Sequence, residues 1–481
     1  MKRQHPIAIL QYTSKNFWLL IIPIIRGLIT PNFDFYNWLE GAYIDLAVVI
    51  FILGSAFFRW WFIKYEFNED KFSYSGGLIF KQKFELPYSI ISAISTKRIF
   101  WLRPTKAVSI HIDSETQSPM NRPSDTDVFI ITDVKMLDVI FSKVPQKSNA
   151  ITLKYEASKT NLLIFSFVFS STLSGIVFIG TFFIEGSKVV GEQLESRFLT
   201  AVTGITTIAE KVIAGVTPIA VGVSLILLGG WIISFLSNLL RHMNFCIQRE
   251  GKCITIQNGF FSKWHYFINA EKINYTDVRQ NLLMKLFRVM SVHVSCSGYG
   301  KAKNEIPVFV PVTTRSRVIG SMQMLLPNFK LQKVRFKSKP KYLFRFIGLP
   351  LIMIISILIA GYLTAYFLPS WYEVIVFAVI MLEIPACYML IVKVVAHYTN
   401  GIEYTADSLT LDYCRFYQFH KVIIPLSRIT MVKISQNIFQ RKNKSCDIII
   451  FTKAEFTKSH RVKGLTIDDA NEILKGLKIY K

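Results

Sequence analysis

The chain of 481 residues is poor in the residue types on which disulfide frameworks and most active sites are built. Six are cysteine, at 246, 253, 296, 387, 414 and 446, and no two of them form a C-x-x-C pair. No histidine stands at zinc-ligand spacing from them, so no metal ligand is expected and the thiols should be free. The eight histidines are scattered along the chain. No H-E-x-x-H, G-x-S-x-G, P-loop or dinucleotide fingerprint occurs, which removes the chemistries those motifs carry. The run SGYGKAK at 297–303 lies between two strand-like segments, not ahead of a helix, and so lacks the amide cluster of a phosphate loop. The expectation is a protein that is not an enzyme, with no catalytic residue and no cofactor. Acidic residues are also scarce, 32 against 56 Lys and Arg, giving a net charge of +24. That excess hugs apolar stretches and comes with no nucleic-acid motif, so nucleic acid is not an expected partner.

What the chain has in abundance is apolar surface. It is 51% hydrophobic with 39 Phe, and its mean hydropathy is +0.35. A membrane span needs about 20 apolar residues to cross about 30 Å of hydrocarbon. Six candidates occur in three pairs: 16–30, 42–63, 161–184, 212–240, 342–368 and 371–396. The first is short and carries Arg26, so a re-entrant segment is its alternative. Charge asymmetry orients them. The link 31–41 has no Lys or Arg, whereas 64–160, 241–341 and 393–481 carry excesses of +3, +14 and +7. Both termini and the three basic segments should therefore face the cytoplasm, at the plasma membrane. No cleavage site of small residues follows the first apolar run, so no cleaved signal peptide is expected.

Three ionisable residues fall within or near these spans: Arg26, Asp45 and Glu383. A charge at mid-bilayer is costly, which makes Glu383, close to Pro385, either a buried structural partner for Arg26 or a transport group. In the second hairpin, Leu194, Phe198, Val202, Ile205, Ile208 and Val212 recur at helical spacing. The outer link 185–211 therefore reads as an amphipathic helix at the outer face, packed against the spans or exposed as a binding element.

The basic segments are copies of one another. Residues 254–273 (ITIQNGFFSKWHYFINAEKI) align without a gap on 72–91 (FSYSGGLIFKQKFELPYSII), placing Asn258-Gly259 on Gly76-Gly77. Residues 409–429 follow with one extra residue and no Gly pair. Apolar/polar alternation broken at the Gly turn predicts a β-hairpin. Further strands are expected at 108–112, 291–295 and 447–451, and helices at 134–144, 315–325 and 470–477. Thr132-Asp133, Thr313-Thr314 and Thr466 with Asp469 stand where helix caps are expected. Seven residues past the shared isoleucine come Gln280-Asn281 and Gln436-Asn437, with Arg98 at that place in the first copy.

A curved antiparallel sheet followed by one helix resembles a pleckstrin-homology (PH)-type module. The residues VRQNLLMKLFRVMSVHV at 278–294 resemble the signature of bacterial PH-like domains. Three such modules, each after a membrane hairpin, resemble the YdbT-like branch of the YdbS/YdbT membrane protein family. The expected fold is α+β: hairpins at 1–63, 151–240 and 342–396, modules at 64–150, 241–330 and 397–481, and a polybasic linker at 331–341. Six of the twelve residues 330–341 are basic, and each Lys or Arg near an anionic surface is worth about 1 kcal/mol.

The expected function is a non-enzymatic scaffold at the inner membrane face, in an envelope or stress-related complex, binding partner proteins and anionic lipid. The resemblance implies a smaller one-module protein of the YdbS type as partner; self-association is the other possibility. Candidate contacts are Arg98, Arg103, Gln280, Lys285, Arg288, Gln436, Arg441 and Lys442 in the matched loops, with Lys333, Arg335, Lys337 and Lys339 in the linker. The alternative is a transporter or flippase-like protein working through Glu383 and Arg26.

Overall fold

The computed structural model describes residues 1–15, 35–77, 81–98, 104–114, 128–137, 140, 153–170, 218–296, 308–454 and 459–477. In the first copy, β1 (Lys2–Arg3) precedes the helices α1 (Ala8–Lys15) and α2 (Phe35–Phe62). The strands β2 (Lys64–Phe67), β3 (Lys71–Gly76), β4 (Gln82–Pro87), β5 (Ile91–Arg98), β6 (Ala107–Ser114) and β7 (Val128–Asp133) follow. The second copy repeats the plan with β8 (Leu153–Glu156), α3 (Lys159–Phe169) and α4 (Pro218–His242). Its strands are β9 (Cys246–Glu250), β10 (Cys253–Asn258), β11 (Lys263–Asn269) and β12 (Ile273–Gln280), then a single turn α5 (Leu282–Leu286), β13 (Val289–Cys296), β14 (Val308–Thr314) and α6 (Arg315–Leu325). The third has β15 (Phe336–Lys337), α7 (Phe344–Phe367), α8 (Tyr372–Thr399), β16 (Gly401–Tyr404), β17 (Ser408–Arg415) and β18 (Gln418–Pro425). It ends with β19 (Ile429–Ser435), α9 (Ile438–Lys442), β20 (Ser445–Thr452), β21 (Ser459–Thr466) and α10 (Ile467–Gly476).

The expected β-hairpins and strands stand at these places, as do the terminal helices of the second and third copies; most of the first copy's expected helix at 134–144 lies outside the described residues. Gly77 and Gly259, at the tips of β3–β4 and β10–β11, have φ of 113° and 100°, a region that a side chain rarely tolerates. The third copy lacks the Gly pair, and Phe416 takes φ 52° at the corresponding tip. Thr466 caps α10 by accepting a hydrogen bond from Asp469 N at 3.2 Å, whereas the Thr314 side chain makes no such cap on α6.

Two expectations about domain boundaries need correction. First, each copy begins before its helices. Lys2 and Arg3 pair with Tyr65 and Lys64, and Phe336 and Lys337 pair with Ile402 and Gly401. The helical segment is thus an insertion between two neighbouring strands of one sheet, and the stretch 331–341 is partly a strand rather than a linker. Buried Phe336 explains the pairing, since it fills the third copy's core beside Ile402.

Second, the copies are not self-contained modules. The chain forms two compact units, one of Met1–Lys154, Ile247–Lys272 and Cys296–Lys303, the other of Tyr155–Cys246, Ile273–Ser295 and Asn304–Lys481. In the first, a seven-stranded sheet runs β7-β6-β5-β11-β10-β9-β8. In the second, the order is β14-β13-β12-β18-β17-β16-β15. The fifth strand of one copy therefore pairs with the fourth strand of the next. An exposed strand edge carries unpaired N–H and C=O groups, and the neighbouring copy satisfies them. Each composite sheet has core on both faces. Ile94 and Phe267 pack into the first copy's core, and Tyr275 of β12 is buried in the third copy's core with its ring 4.7 Å from His460.

The six expected spans are matched in part. Among the described residues, two helical stretches are long and apolar enough to cross a membrane, Pro340–Phe367 and Val374–Thr399. Two further apolar helices, Leu46–Phe62 and Ile226–His242, are shorter. The first expected span, the outer link 185–211 and most of 161–184 lie outside the described residues.

Candidate interaction site at the feet of the helices

The matched Gln-Asn loops do the same local work in both copies. Gln280 Nε2 donates to Val289 O at 2.8 Å, and Gln436 Nε2 donates to Ser445 O at 2.7 Å. Asn281 Oδ1 accepts from Met284 N at 2.7 Å, and Asn437 Oδ1 accepts from Gln440 N at 2.9 Å, capping α5 and α9. Eight residues past the Gln, Arg288 and Lys444 turn the chain back with φ of 54° and 50°; Lys106, at the same place in the first copy, has φ 56°. The geometry shared by the two copies is thus a closed one-turn loop, and the two glutamines and two asparagines are engaged in holding it. Arg98 ends β5 opposite Lys263 of β11. Arg103 lies outside the described residues.

Both loops of the second unit pack on the ends of the two long helices. Leu282 packs with Tyr388, Val395 and Cys414 around a core of Phe346, Val392, Ala396 and Phe419. Lys285 Nζ sits 3.6 Å from the Phe419 ring centre, and burial lowers its pKa. Its charge is therefore committed to a ring face rather than presented to solvent. At the tip of β17–β18, Tyr417 lies 5.6 Å from Tyr388, and Lys393 Nζ donates to Phe416 O at 3.1 Å. Leu286, Phe287, Phe416 and Ile438 are exposed in these loops and tips, beside exposed Arg288, Arg441 and Lys442.

The third copy's loop is tied to the foot of α7. Tyr342 Oη donates to Asn443 O at 3.0 Å. Buried Asp447 receives Arg345 of α7, Arg461 at 2.7 Å, Gln440 at 2.8 Å and Gly464 N at 3.1 Å. Gly464 has φ 69°, and a Cβ there would meet Ser338 Oγ at 2.8 Å, so the strand approaches the helix foot only as glycine. Lys333, Arg335, Lys337 and Lys339 remain exposed just ahead of α7. Arg335 pairs loosely with Glu472 at 3.5 Å. The helix α8 has 28 residues, about 42 Å at 1.5 Å per residue, against about 30 Å of hydrocarbon. A helix of that length crossing the layer would reach past its boundary, and the loops pack around the C-terminal turns of α8. Apolar tips flanked by Lys and Arg suit that boundary.

The described residues give Glu383 no partner: its Oε1 is buried and makes no hydrogen bond. Pro385 stands two residues on, inside α8. Arg26 lies outside the described residues, and Asp45 is on α2. Three features escaped sequence reasoning. The opening strands before the helices had a signal, since KRQHP at 2–6 and FKSKP at 336–340 are alike. The Asp447 cluster had none, because its partners lie far apart in sequence. The third is a buried ion pair between β12 and β18. Burial opposes ionisation of Asp277, but the charges of His420 and Arg279 outweigh it and hold the carboxyl well below the usual range. Asp277 lies 3.0 Å from His420 Nδ1 and 2.6 Å from Arg279 Nε.

Comparison with known proteins agrees with the repeat. UPF0699 transmembrane protein YdbT of Bacillus subtilis (strain 168) is 23% identical over 505 aligned residues, covering 98% of this chain and 96% of that protein. The family described as Bacterial PH domain matches residues 17–139, 198–325 and 342–480. The three matches cover most of the chain, which therefore belongs to the bacterial PH domain family and carries three tandem copies of its domain.

Proposed function

We propose that this chain is a non-enzymatic multipass membrane scaffold whose PH-like copies lie on the cytoplasmic face and bind other proteins there. Six spans in three hairpins and cytoplasmic termini complete the reading, supported by the charge asymmetry and by the transmembrane name of its relative. The observation that carries it is the joining of successive copies through shared sheets, with the helices clamped between neighbouring strands. Within each unit a shared sheet holds strand edges and loops in fixed register, which favours assembly of partners over turnover of a substrate. The partner implied by the family resemblance is a smaller one-module membrane protein of the YdbS type. Exposed Lys333, Arg335, Lys337 and Lys339 add attraction to anionic lipid at the foot of α7.

The test is purification of the intact protein in a mild detergent with mass spectrometry of what co-elutes. A stoichiometric second membrane protein is the expected result; a lone chain with bound lipid would sink the scaffold. One observation favours a second reading, transport or lipid flipping through the helices: the unpartnered Glu383 Oε1 in mid-helix. Glu383→Gln should abolish the cellular phenotype if that reading is right and leave it unchanged if the scaffold is right.

A further inference from the structure

The two composite sheets follow one register. In the first, Ile94 of β5 faces Phe267 of β11; in the second, Thr276 of β12 faces Ile423 of β18. Ile94 and Thr276 are each the fourth residue of their strand, and Phe267 and Ile423 each lie six places before the isoleucine that opens the next strand. The facing residue is apolar both times: Phe267 packs against the first copy's core, and Ile423 is fully buried. On the other face, Ala93 and Tyr275 hold matching places and are 2% and 0% exposed.

The third copy has the same strand, and no described strand pairs with its outer edge. β19 is the end strand of the three-stranded sheet β19-β20-β21. Met431, which matches Ala93 and Tyr275, is 49% exposed, and Ile434 is 37% exposed. Beside the strand lies an open groove of about 180 Å³, lined by Leu426, Ile429, Thr430, Met431, Val432 and Leu477. Val432 is the fourth residue of β19, so a strand added in the same register would set its facing side chain against Val432 at this groove. An apolar edge of this kind is a template for strand addition.

The chain's own fourth strand β4, whose outer edge no described strand pairs, does not suit it. β4 ends the sheet β1-β2-β3-β4, but the residue six places before Ile91 is Glu85, which bonds Lys71 at 2.6 Å on the exposed face. A carboxylate set against the apolar groove would lose hydration without a partner. We infer that the β19 edge receives the fourth strand of a PH-like module from a different polypeptide, one with an apolar residue where this chain has Phe267, Ile423 and Glu85. The pairing is antiparallel and keeps the register of the two internal junctions, so the partner continues the array as a further module. This assignment rests on the scaffold reading and gives it an address.

The experiment places a photoreactive benzoyl-phenylalanine at Lys433 of the full-length chain in native membranes and maps the crosslinked peptide by mass spectrometry. Lys433 is exposed and follows Val432 on the edge strand. The expected adduct joins it to the fourth strand of a PH-like module in another protein. Adding Met431→Asp, on a side chain already half exposed in the free chain, should reduce that adduct at least tenfold. An adduct to a second copy of this chain, to lipid alone or to a segment outside a PH-like module overturns the inference, as does no adduct. A co-purifying partner that crosslinks only elsewhere would leave the scaffold standing and remove its address at β19.

Discussion

β12 and β19 hold the same place in successive copies and have opposite surroundings. β12 is a central strand whose residues are nearly all buried, with the next copy laid against its edge. β19 is an edge strand with four of its seven residues exposed. The local sequences, INYTDVRQ and ITMVKIS, share the opening isoleucine, and the loop after each opens with Gln-Asn. The difference lies in what the neighbouring copy supplies. β12 has a follower and meets it with a buried polar network; β19 has none among the described residues and carries a Lys and a Met at the corresponding positions. A strand's status as interior or edge is thus a property of the array, not of the strand.

The largest expected effect is at the matched pair Tyr275 and Met431. Tyr275→Ala empties a fully buried aromatic site and should cost about 3–5 kcal/mol, seen as a large drop in the thermal midpoint of the detergent-purified chain. Met431→Ala should change it by less than about 0.5 kcal/mol. Equal effects would break the comparison. Next comes the polar network: Asp277→Ala leaves Arg279 and His420 without their carboxylate and should cost about 3 kcal/mol or more, with faster proteolysis between β12 and β18. Lys433→Ala, at the corresponding place on the open edge, should be near neutral.

Acidification sharpens the same contrast. His460, buried against Tyr275 and bonded to Tyr413 Oη at 2.9 Å, has its pKa lowered to about 4 by burial. Between pH 6.5 and 4 the unfolded chain therefore binds more protons than the folded one, and stability falls as pH falls. The full loss is on the order of 3 kcal/mol, at about 1.4 kcal/mol per pKa unit. His460→Gln should flatten the midpoint between pH 7.5 and 4.5. Asp277, held ionised in the fold, adds to acid sensitivity only below about pH 4. The smallest of the losses is at the loops: Asn281→Ala and Asn437→Ala each remove a cap and should cost about 1 kcal/mol, alike in both copies, read as paired shifts of the thermal midpoint.

Much of this architecture was legible in residue order. The Gly pairs at 76–77 and 258–259 mark hairpin tips because the left-handed turn demands them, and the apolar runs at 342–368 and 371–396 match α7 and α8 closely. The Gln-Asn loops were recognisable as matched positions, but their role was not. A glutamine that closes a loop onto a backbone carbonyl reads the same in sequence as one that awaits a partner. Lys285 likewise looked available, and only the position of Phe419, 134 residues on, shows it resting on a ring.

The sequence by itself determined the period, the apolar runs of the long helices, the distribution of charge and most strands within each copy, because those follow from local alternation, length and composition. Only the tertiary structure decided which strands become neighbours. Backbone edges carry no residue code: every fifth strand offers the same row of N–H and C=O groups, and whether it is closed depends on the copy that follows. The same reason leaves the outer edge of β19 without a described strand beside it, with the groove at Val432 open.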